Sequence, residues 1–313
     1  MVVLSLCDGI STGQVILQEL GIKVDKYYSS EIDDKAISVT QSHFPNTVQI
    51  GDICKIRYEK GILYTENGAF EVPKIDLILS GTPCVSFSFA GKQDKMDGIS
   101  GELFYEFSRI LKEVTPTYFF FENVKMSEDA ARSINKELGV EYIYLNSCDF
   151  SPQVRKRYYW TNIVDKDTCL KNKPINSLRI KDILDDLPFD IDCSEIFELN
   201  PYMPINGRDN ILCINPRGLK KRRVQPNVCV QTSQRRRIYD IEGKCPALCA
   251  NLYDLKITKD HKKYRRLTVK ECERLQGLPE GYTSILTKRQ AGFAIGNGWQ
   301  VDTVKYILEF MKV

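Results

Sequence analysis

Val2–Gly13 reads VVLSLCDGISTG: an apolar run of strand length, a turn containing Gly9, and the start of a helical pattern that continues as VILQELGI over residues 15–22. A turn of this kind lets backbone N–H groups and a helix N-terminus approach a ligand. Its spacing is not that of the dinucleotide loop, and by itself it equally describes a tight strand-to-helix turn. The same alternation repeats downstream. KYYSSEI (residues 26–32) reads as a strand, AISVTQSHF (36–44) as a helix and IDLILSG (75–81) as a buried strand. LFYEFSRILKEV (103–114) reads as a helix and TYFFFENV (117–124) as a strand, and EYIYLNSCDF and YYWTNIV close the series. Repeated strand–helix alternation predicts a parallel α/β sheet with right-handed crossovers.

Periodicity weakens between about Asp165 and Arg265, where Pro, Asn, Lys and Arg become frequent and strands look short. This predicts a smaller, loop-rich domain. The chain then returns to helix (LTVKECERLQG), a loop and a last amphipathic helix (VDTVKYILEFM). The expected division is residues 1–165 plus 280–313 as one domain and 166–279 as the other.

The 313 residues are 42% apolar and 27% charged, as in ordinary soluble proteins. No apolar run reaches the length of a membrane span, and MVVLSLCDGI has no basic leader, so no signal peptide is expected. The 11 cysteines are scattered without a CxxC pair; the nearest two, Cys245 and Cys249, lack a second half-site for a metal. A reducing cytoplasm and no metal are expected. With only 2 histidines, His43 and His261, a Ser-His-Asp triad is disfavoured. The net charge of +3 decides little, but nine basic residues against the single acid Asp209 fall between Arg208 and Arg237. They cluster at Lys220, Lys221, Arg222 and Arg223 and at Arg235, Arg236 and Arg237, with Asn and Gln interleaved. Such a run is either a solvated face or a phosphate-contacting surface.

Acids end two further strands: Glu31 in SSEID, suited to ribose hydroxyls, and Asp52 in GDI. Each is otherwise a helix-capping or solvent acid. Cys84 follows a buried strand and a Thr-Pro turn in IDLILSGTPCVSFS. Most cysteines are inert core residues, but α/β sheets place their sites at strand C-termini, and Pro83 stiffens the approach. The polar, Gly-rich FAGKQDKMDGISG that follows suits a closing loop. TYFFFENVK delivers Glu122 and Asn123 at the end of an apolar run. Glu122 there reads as an acid with a raised pKa or as a cap. SPQVRKRYYW places Arg155 and Arg157 on one face of a strand, for anion or carbonyl recognition or for surface ion pairs.

The order DGISTG, SSEID, GDI, GTPCVSFS, FFENV, QVRKR, RRLTVKECERLQGLP and AIGNGWQV resembles the motif series of the DNA cytosine C5-methyltransferases over nearly the whole chain. The first motif and Trp299 are similar to the vertebrate de novo DNA methyltransferases. Phe87 to Phe104 and the GNG are closer to bacterial restriction-modification or phage enzymes. The resemblance implies a Rossmann-like S-adenosylmethionine-dependent methyltransferase sheet with a smaller, loop-rich target-recognition domain. It implies methyl transfer from S-adenosylmethionine to carbon 5 of a cytosine flipped out of duplex DNA, leaving S-adenosylhomocysteine. Cys84 is then the nucleophile at carbon 6. Glu122 serves the ring nitrogen, Arg155 holds the adjacent carbonyl oxygen with Arg157 in support, and Pro83 and Asn123 orient the loops.

By the same resemblance Asp8, Gly9, Ile10, Ser11 and Thr12 line the methionine half of the cofactor. Glu31, with Ile32 beside it, takes the ribose, Asp52 and Ile53 take the adenine, and Asn297, Gly298 and Trp299 fold against that pocket. Ser86, Ser88 and the basic run contact DNA. The base that removes the carbon 5 proton is not named by any residue. Where the family has Phe beside the adenine this chain has Cys7, which implies weaker cofactor binding. Val85 replaces a polar residue, Ser100 an Arg, and Pro246-Ala247-Leu248 a Pro-Thr-Leu element. A cytoplasmic, bacterial or phage-encoded enzyme at the nucleoid is implied, as monomer or homodimer. Two other readings are weighed. RNA cytosine methylation is disfavoured because KMSEDA after ENV lacks the Cys-Phe-Thr signature of the tRNA-acting relatives. A regulatory relative without turnover is disfavoured because such proteins lose the Pro-Cys or the ENV.

Neutralising Arg235, Arg236 and Arg237 together is expected to weaken duplex binding and to flatten its dependence on salt, as read by titrations at several ionic strengths. An unchanged slope would return the cluster to a solvated face.

Overall fold

The computed structural model describes residues 1–72, 74–83, 99–193, 203–204, 212–214, 238–249 and 255–312. In chain order the elements are β1 (Val2–Leu6), α1 (Thr12–Glu19), β2 (Lys26–Ser30), α2 (Asp34–His43), β3 (Val48–Gln49), β4 (Arg57–Glu59), β5 (Ile62–Thr65), β6 (Gly68–Glu71), β7 (Leu77–Ser80), α3 (Ile99–Val114), β8 (Tyr118–Val124), α4 (Glu128–Leu138) and β9 (Ile143–Asn146). They continue as β10 (Gln153–Val154), β11 (Lys156–Thr161), α5 (Lys166–Lys171), β12 (Ile191–Asp192), β13 (Met203–Pro204), β14 (Leu212–Ile214), β15 (Ile238–Asp240), β16 (Cys245–Pro246), β17 (Lys256–Thr258), β18 (Lys263–Arg266), α6 (Val269–Gln276), α7 (Lys288–Asn297) and α8 (Val301–Leu308). Two compact units emerge: residues 1–146, 156–174 and 301–313, and residues 147–155 and 175–300. These bounds differ from the expected division by role: 147–155 and 280–300 fold within the second unit and 166–174 within the first.

The first unit is built on a seven-stranded sheet of order β3-β2-β1-β7-β8-β11-β9. β3, β2, β1, β7 and β8 are parallel neighbours. β11 lies antiparallel between β8 and β9, so the sheet is mixed rather than purely parallel. The reason is in the connection. Only a 3-10 turn (Ser147–Asp149) and the short β10 lie between β9 and β11, and a parallel return needs a crossover long enough to hold an α-helix. The chain leaves β1 toward β2 on one side and later returns to place β7 on the other. The ends of β1 and β7 therefore flank the topological switch point, where open α/β sheets bind ligands.

An aromatic cluster holds α3 against this sheet. Phe121 of β8 stacks on Phe107 of α3 at 4.8 Å and meets Phe104 at 5.4 Å and Trp160 of β11 at 5.6 Å. All four side chains are fully buried. The helical spacing of Phe104, Phe107, Ile110 and Val114 makes this one face of α3. The last helix, α8, buries Val301, Val304, Ile307 and Leu308, and its Lys305 pairs with Glu19 of α1 at 2.9 Å.

A three-stranded antiparallel meander, β4-β5-β6, stands between β3 and β7. The chain turns from β4 to β5 through Lys60 (φ 50°) and Gly61 (φ 79°), the positive pair that tight hairpins favour. Its Leu63 is buried in the same core as Leu4, Ile78 and Phe121.

The second unit contains a six-stranded sheet of order β12-β18-β17-β15-β14-β13 and the short parallel pair β10-β16. Thr268 and Glu271 form a capping box at the start of α6. Glu271 is buried and accepts both ends of the Arg265 guanidinium, at 2.7 and 2.9 Å. α7 occupies a stretch expected as loop. Its Gly292 and Gly296 lower helix propensity, but Thr287 and Gln290 form another capping box that marks the start.

Phe121→Ala should cost about 3–5 kcal/mol of stability, because the stacked rings around it cannot close the void. A denaturant midpoint within error of the parent protein would contradict this packing.

Candidate active site

Because β1, β2, β3, β7 and β8 run parallel, the segments after them meet along one edge of the first unit's sheet. Cys7 to Ser11, Glu31, Gly51 to Asp52, Gly81 to Pro83 and the Glu122–Asn123 pair all belong to this edge. Around the first turn, Cys7 (φ 56°), Gly9 (φ 60°) and Ser11 (φ 58°) adopt left-handed backbone, a costly geometry for the two residues with side chains. Asp8 holds the loop in that shape. Its carboxylate accepts hydrogen bonds from the hydroxyls of Ser11 (2.6 Å), Tyr27 (2.8 Å) and Ser29 (2.9 Å). Burial pushes the Asp8 carboxyl above its usual range, against these donors. Expected as a lining residue, Asp8 thus spends both oxygens on the protein. Ile10, Ser11 and Thr12 are buried.

Glu31 follows β2. One of its oxygens accepts the Gly9 N–H at 2.7 Å, and the other the N–H groups of Ile32 (2.8 Å) and Asp33 (2.9 Å). Ile32 stands beside it 74% exposed, an uncovered apolar side chain next to a fixed carboxylate. Asp52 caps the 3-10 turn Ile53–Lys55 by accepting the Cys54 N–H at 2.9 Å. Burial, with Glu31 next in effect, pushes the Cys7 thiol up to about 12, so it stays neutral. An acid after β2, a small neutral thiol and a bare apolar side chain suit an adenosine-bearing ligand, and the residues fit S-adenosylmethionine.

On the other side of the switch point, Asn123 is buried and its side-chain amide donates to the Thr82 carbonyl at 3.4 Å, immediately before Pro83. Glu122 lies one residue earlier on β8, and Arg157 of β11 meets its carboxylate through Nε at 2.8 Å. Both side chains are largely withdrawn from solvent, at 13% and 16% exposure. The antiparallel register, with Tyr159 opposite Glu122 and Arg157 opposite Val124, makes this a diagonal pair.

The expected partnership of Arg155 and Arg157 does not form this way. Arg155 is buried and donates to three backbone carbonyls of the second unit: Leu248 (3.0 Å), Gly298 (2.9 Å) and Gly296 (3.3 Å). Alternation along a strand predicts a shared face, but the chain passes from β10 to β11 at Arg155, and each guanidinium finds its own partners. Gln153 and Gln276 extend the Arg155 network. Gln153 accepts the Leu248 N–H at 3.2 Å and donates to Gln276 at 2.9 Å, and Gln276 donates to Gly298 at 2.7 Å. Sequence reading missed both, although Gln153 stands in the QVRKR motif it had singled out. Asn297 ends α7 and Gly298 is its C-cap. Cys84, Ser86, Ser88, Lys220, Lys221, Arg222, Arg223, Arg235, Arg236 and Arg237 lie outside the described residues.

The profile of C-5 cytosine-specific DNA methylases matches residues 1–312. The chain belongs to this family. It is 30% identical over 276 residues to the type II methyltransferase M.FnuDI of Fusobacterium nucleatum, covering 77% of this chain and 78% of that protein. It is 33% identical over 176 residues to the type II methyltransferase M.NlaIV of Neisseria lactamica, covering 50% of this chain but 39% of that longer relative. A DNA modification methyltransferase encoded within an E. coli prophage shares the fold, with a TM-score of 0.66 at 22% identity over 99% of this chain and 98% of that one. The Rossmann-like, α/β character expected of the family methyltransferase sheet is thereby established. Among the described residues, no helix is long and apolar enough to cross a membrane.

Arg155→Ala takes the guanidinium from the Leu248 and Gly296 carbonyls and leaves Gly298 with Gln276 alone, and should lower stability by about 3 kcal/mol. Thermal unfolding checks this; an unchanged midpoint would mean that water serves the carbonyls equally well.

Proposed function

We propose that this chain methylates carbon 5 of cytosine in duplex DNA with S-adenosylmethionine, through a covalent bond from Cys84. The observation that carries the reading is the Glu122–Arg157 pair beside the strand that leads to Pro83. Ring nitrogen 3 and the carbonyl oxygen on carbon 2 are adjacent atoms of cytosine. A carboxyl and a guanidinium already in contact match them as a unit.

The role expected of Arg155 therefore passes to Arg157, and Arg155 becomes a positioning residue. The Cys84 thiolate adds to carbon 6, and the electron pair of the 5,6 double bond moves toward carbon 5 and into the ring. Glu122 holds a proton at nitrogen 3, while Arg157 takes the growing charge on the carbonyl oxygen. Asn123 holds the Thr82 carbonyl, immediately before Pro83, and so orients the approach to Cys84. Gly9, Glu31, Ile32, Asp52 and Ile53 would hold S-adenosylmethionine, which would supply an electrophilic methyl group to carbon 5, with S-adenosylhomocysteine as the leaving group. Once carbon 5 is methylated, its proton leaves to a base, which water can provide, and the Cys84 bond breaks to restore aromaticity.

The remaining assignments rest on resemblance: Asp8, Ile10, Ser11, Thr12, Asn297, Gly298 and Trp299 toward the cofactor, and Ser86, Ser88 and the basic run toward DNA. We assign catalysis to residues 1–165 with 280–313 and target recognition to 166–279. The bacterial names among its relatives support a cytoplasmic enzyme of a restriction-modification system.

Purified protein should transfer a labelled methyl group to duplex DNA. Cys84→Ala should abolish transfer, and Arg157→Ala should lower kcat by roughly 100-fold or more. Full activity of either folded variant would contradict the assignment.

A further inference from the structure

The turn between β5 and β6 reaches the end of β3 and grips it at consecutive points. One Glu66 carboxylate oxygen accepts the Asp52 N–H at 2.8 Å. The other meets the Lys55 ammonium. Next to it, the Asn67 side-chain amide donates to the Gln49 carbonyl at 3.1 Å. Between these points lies Gly51, with φ +76°, and a Cβ there would stand 2.1 Å from Glu66 Oε1. Glu66 thus occupies the volume that any other residue at position 51 would need. The short strand β3 contributes only Val48 and Gln49 to the sheet; beyond it β2 holds the Ile50 N–H and the Gly51 carbonyl, at 2.9 and 2.7 Å, and Glu66 takes the Asp52 N–H.

We infer that the β4–β6 meander is a brace for the adenosine end of the cofactor site, with Glu66 as the positioning residue for Asp52 and Ile53. This rests on the proposed cofactor role of those two residues. Asp52 has its N–H held by Glu66 and its carboxylate turned to the Cys54 N–H. Both its position and its direction are therefore set before a ligand arrives, which lowers the ordering cost of binding. Ser30 Oγ still donates to the Gly51 carbonyl at 2.7 Å, so loss of the Glu66 acceptor releases the Asp52 N–H side of that peptide, and the cost falls on cofactor affinity rather than on chemistry. Lys55, through its hydrogen bond, holds the Glu66 carboxyl below its usual range, so the brace is ionised at neutral pH. The ion pair itself is solvent-facing and adds little.

Calorimetric titration of the full chain with S-adenosylhomocysteine tests the inference. Glu66→Ala should raise Kd roughly tenfold, about the effect of one lost hydrogen bond to a charged group. Its melting temperature and its affinity for duplex DNA should stay near those of the parent. Glu66→Gln keeps a carbonyl oxygen for the Asp52 N–H and should restore most of the affinity. Parent-like cofactor affinity in Glu66→Ala overturns the brace, as does an equal loss in Glu66→Gln, which would put the effect on charge. A parent protein that does not bind the compound would instead remove the cofactor reading on which the brace stands.

Discussion

Glu122 and Arg157 meet across β8 and β11, and the site depends on that meeting. It requires β11 to run antiparallel beside β8, in a register that sets Tyr159 opposite Glu122. It also requires β8 to lie next to β7, whose end leads to Pro83 and Cys84. Burial of Phe121, next to Glu122 on β8, and of Trp160, its register partner on β11, fixes the register from within the core. A slip by one residue would turn these rings outward and take the pair off the edge. The requirement for apolar burial in the sheet and the requirement for a paired carboxylate and guanidinium are met by the same two strands.

Around this pair, the molecule spends polar groups on holding backbone. Asp8 gathers three hydroxyls to keep a left-handed loop, and Asn123 holds the Thr82 carbonyl. In the second unit, Arg155, Gln153 and Gln276 tie the Leu248 peptide to Gly296 and Gly298. Each arrangement satisfies buried groups that would otherwise cost stability. A carboxylate or guanidinium in a motif is therefore not by itself a group that reaches substrate.

That distinction marks how far the sequence could be read. The sheet edge was legible, because apolar runs ending in Glu31, Asp52, Thr82 and Glu122 state where strands stop and polar groups begin. The opposite direction of β11 was not, since a strand's sequence carries its faces but not its heading. The split between Arg155 and Arg157 was equally hidden: their spacing says that they share a strand face only if the strand is continuous, and it is interrupted at Arg155. The meander and α7 did leave signals, in Lys60-Gly61, Asn67-Gly68 and the Thr287–Gln290 box. The residues around these signals lack strong periodicity, which hides both elements. Bracing by Glu66 could not be foreseen, because it depends on a three-dimensional approach to Gly51.

Which groups meet the cytosine ring decides the catalytic roles. Duplex DNA carrying 5-fluorocytosine should halt the reaction as an adduct, since fluorine cannot leave as a proton does. A crystal structure of that adduct is predicted to show Cys84 Sγ bonded to carbon 6, Glu122 at nitrogen 3 and the Arg157 guanidinium on the carbonyl oxygen. Arg155 on that oxygen, or a bond from any other cysteine, would contradict it.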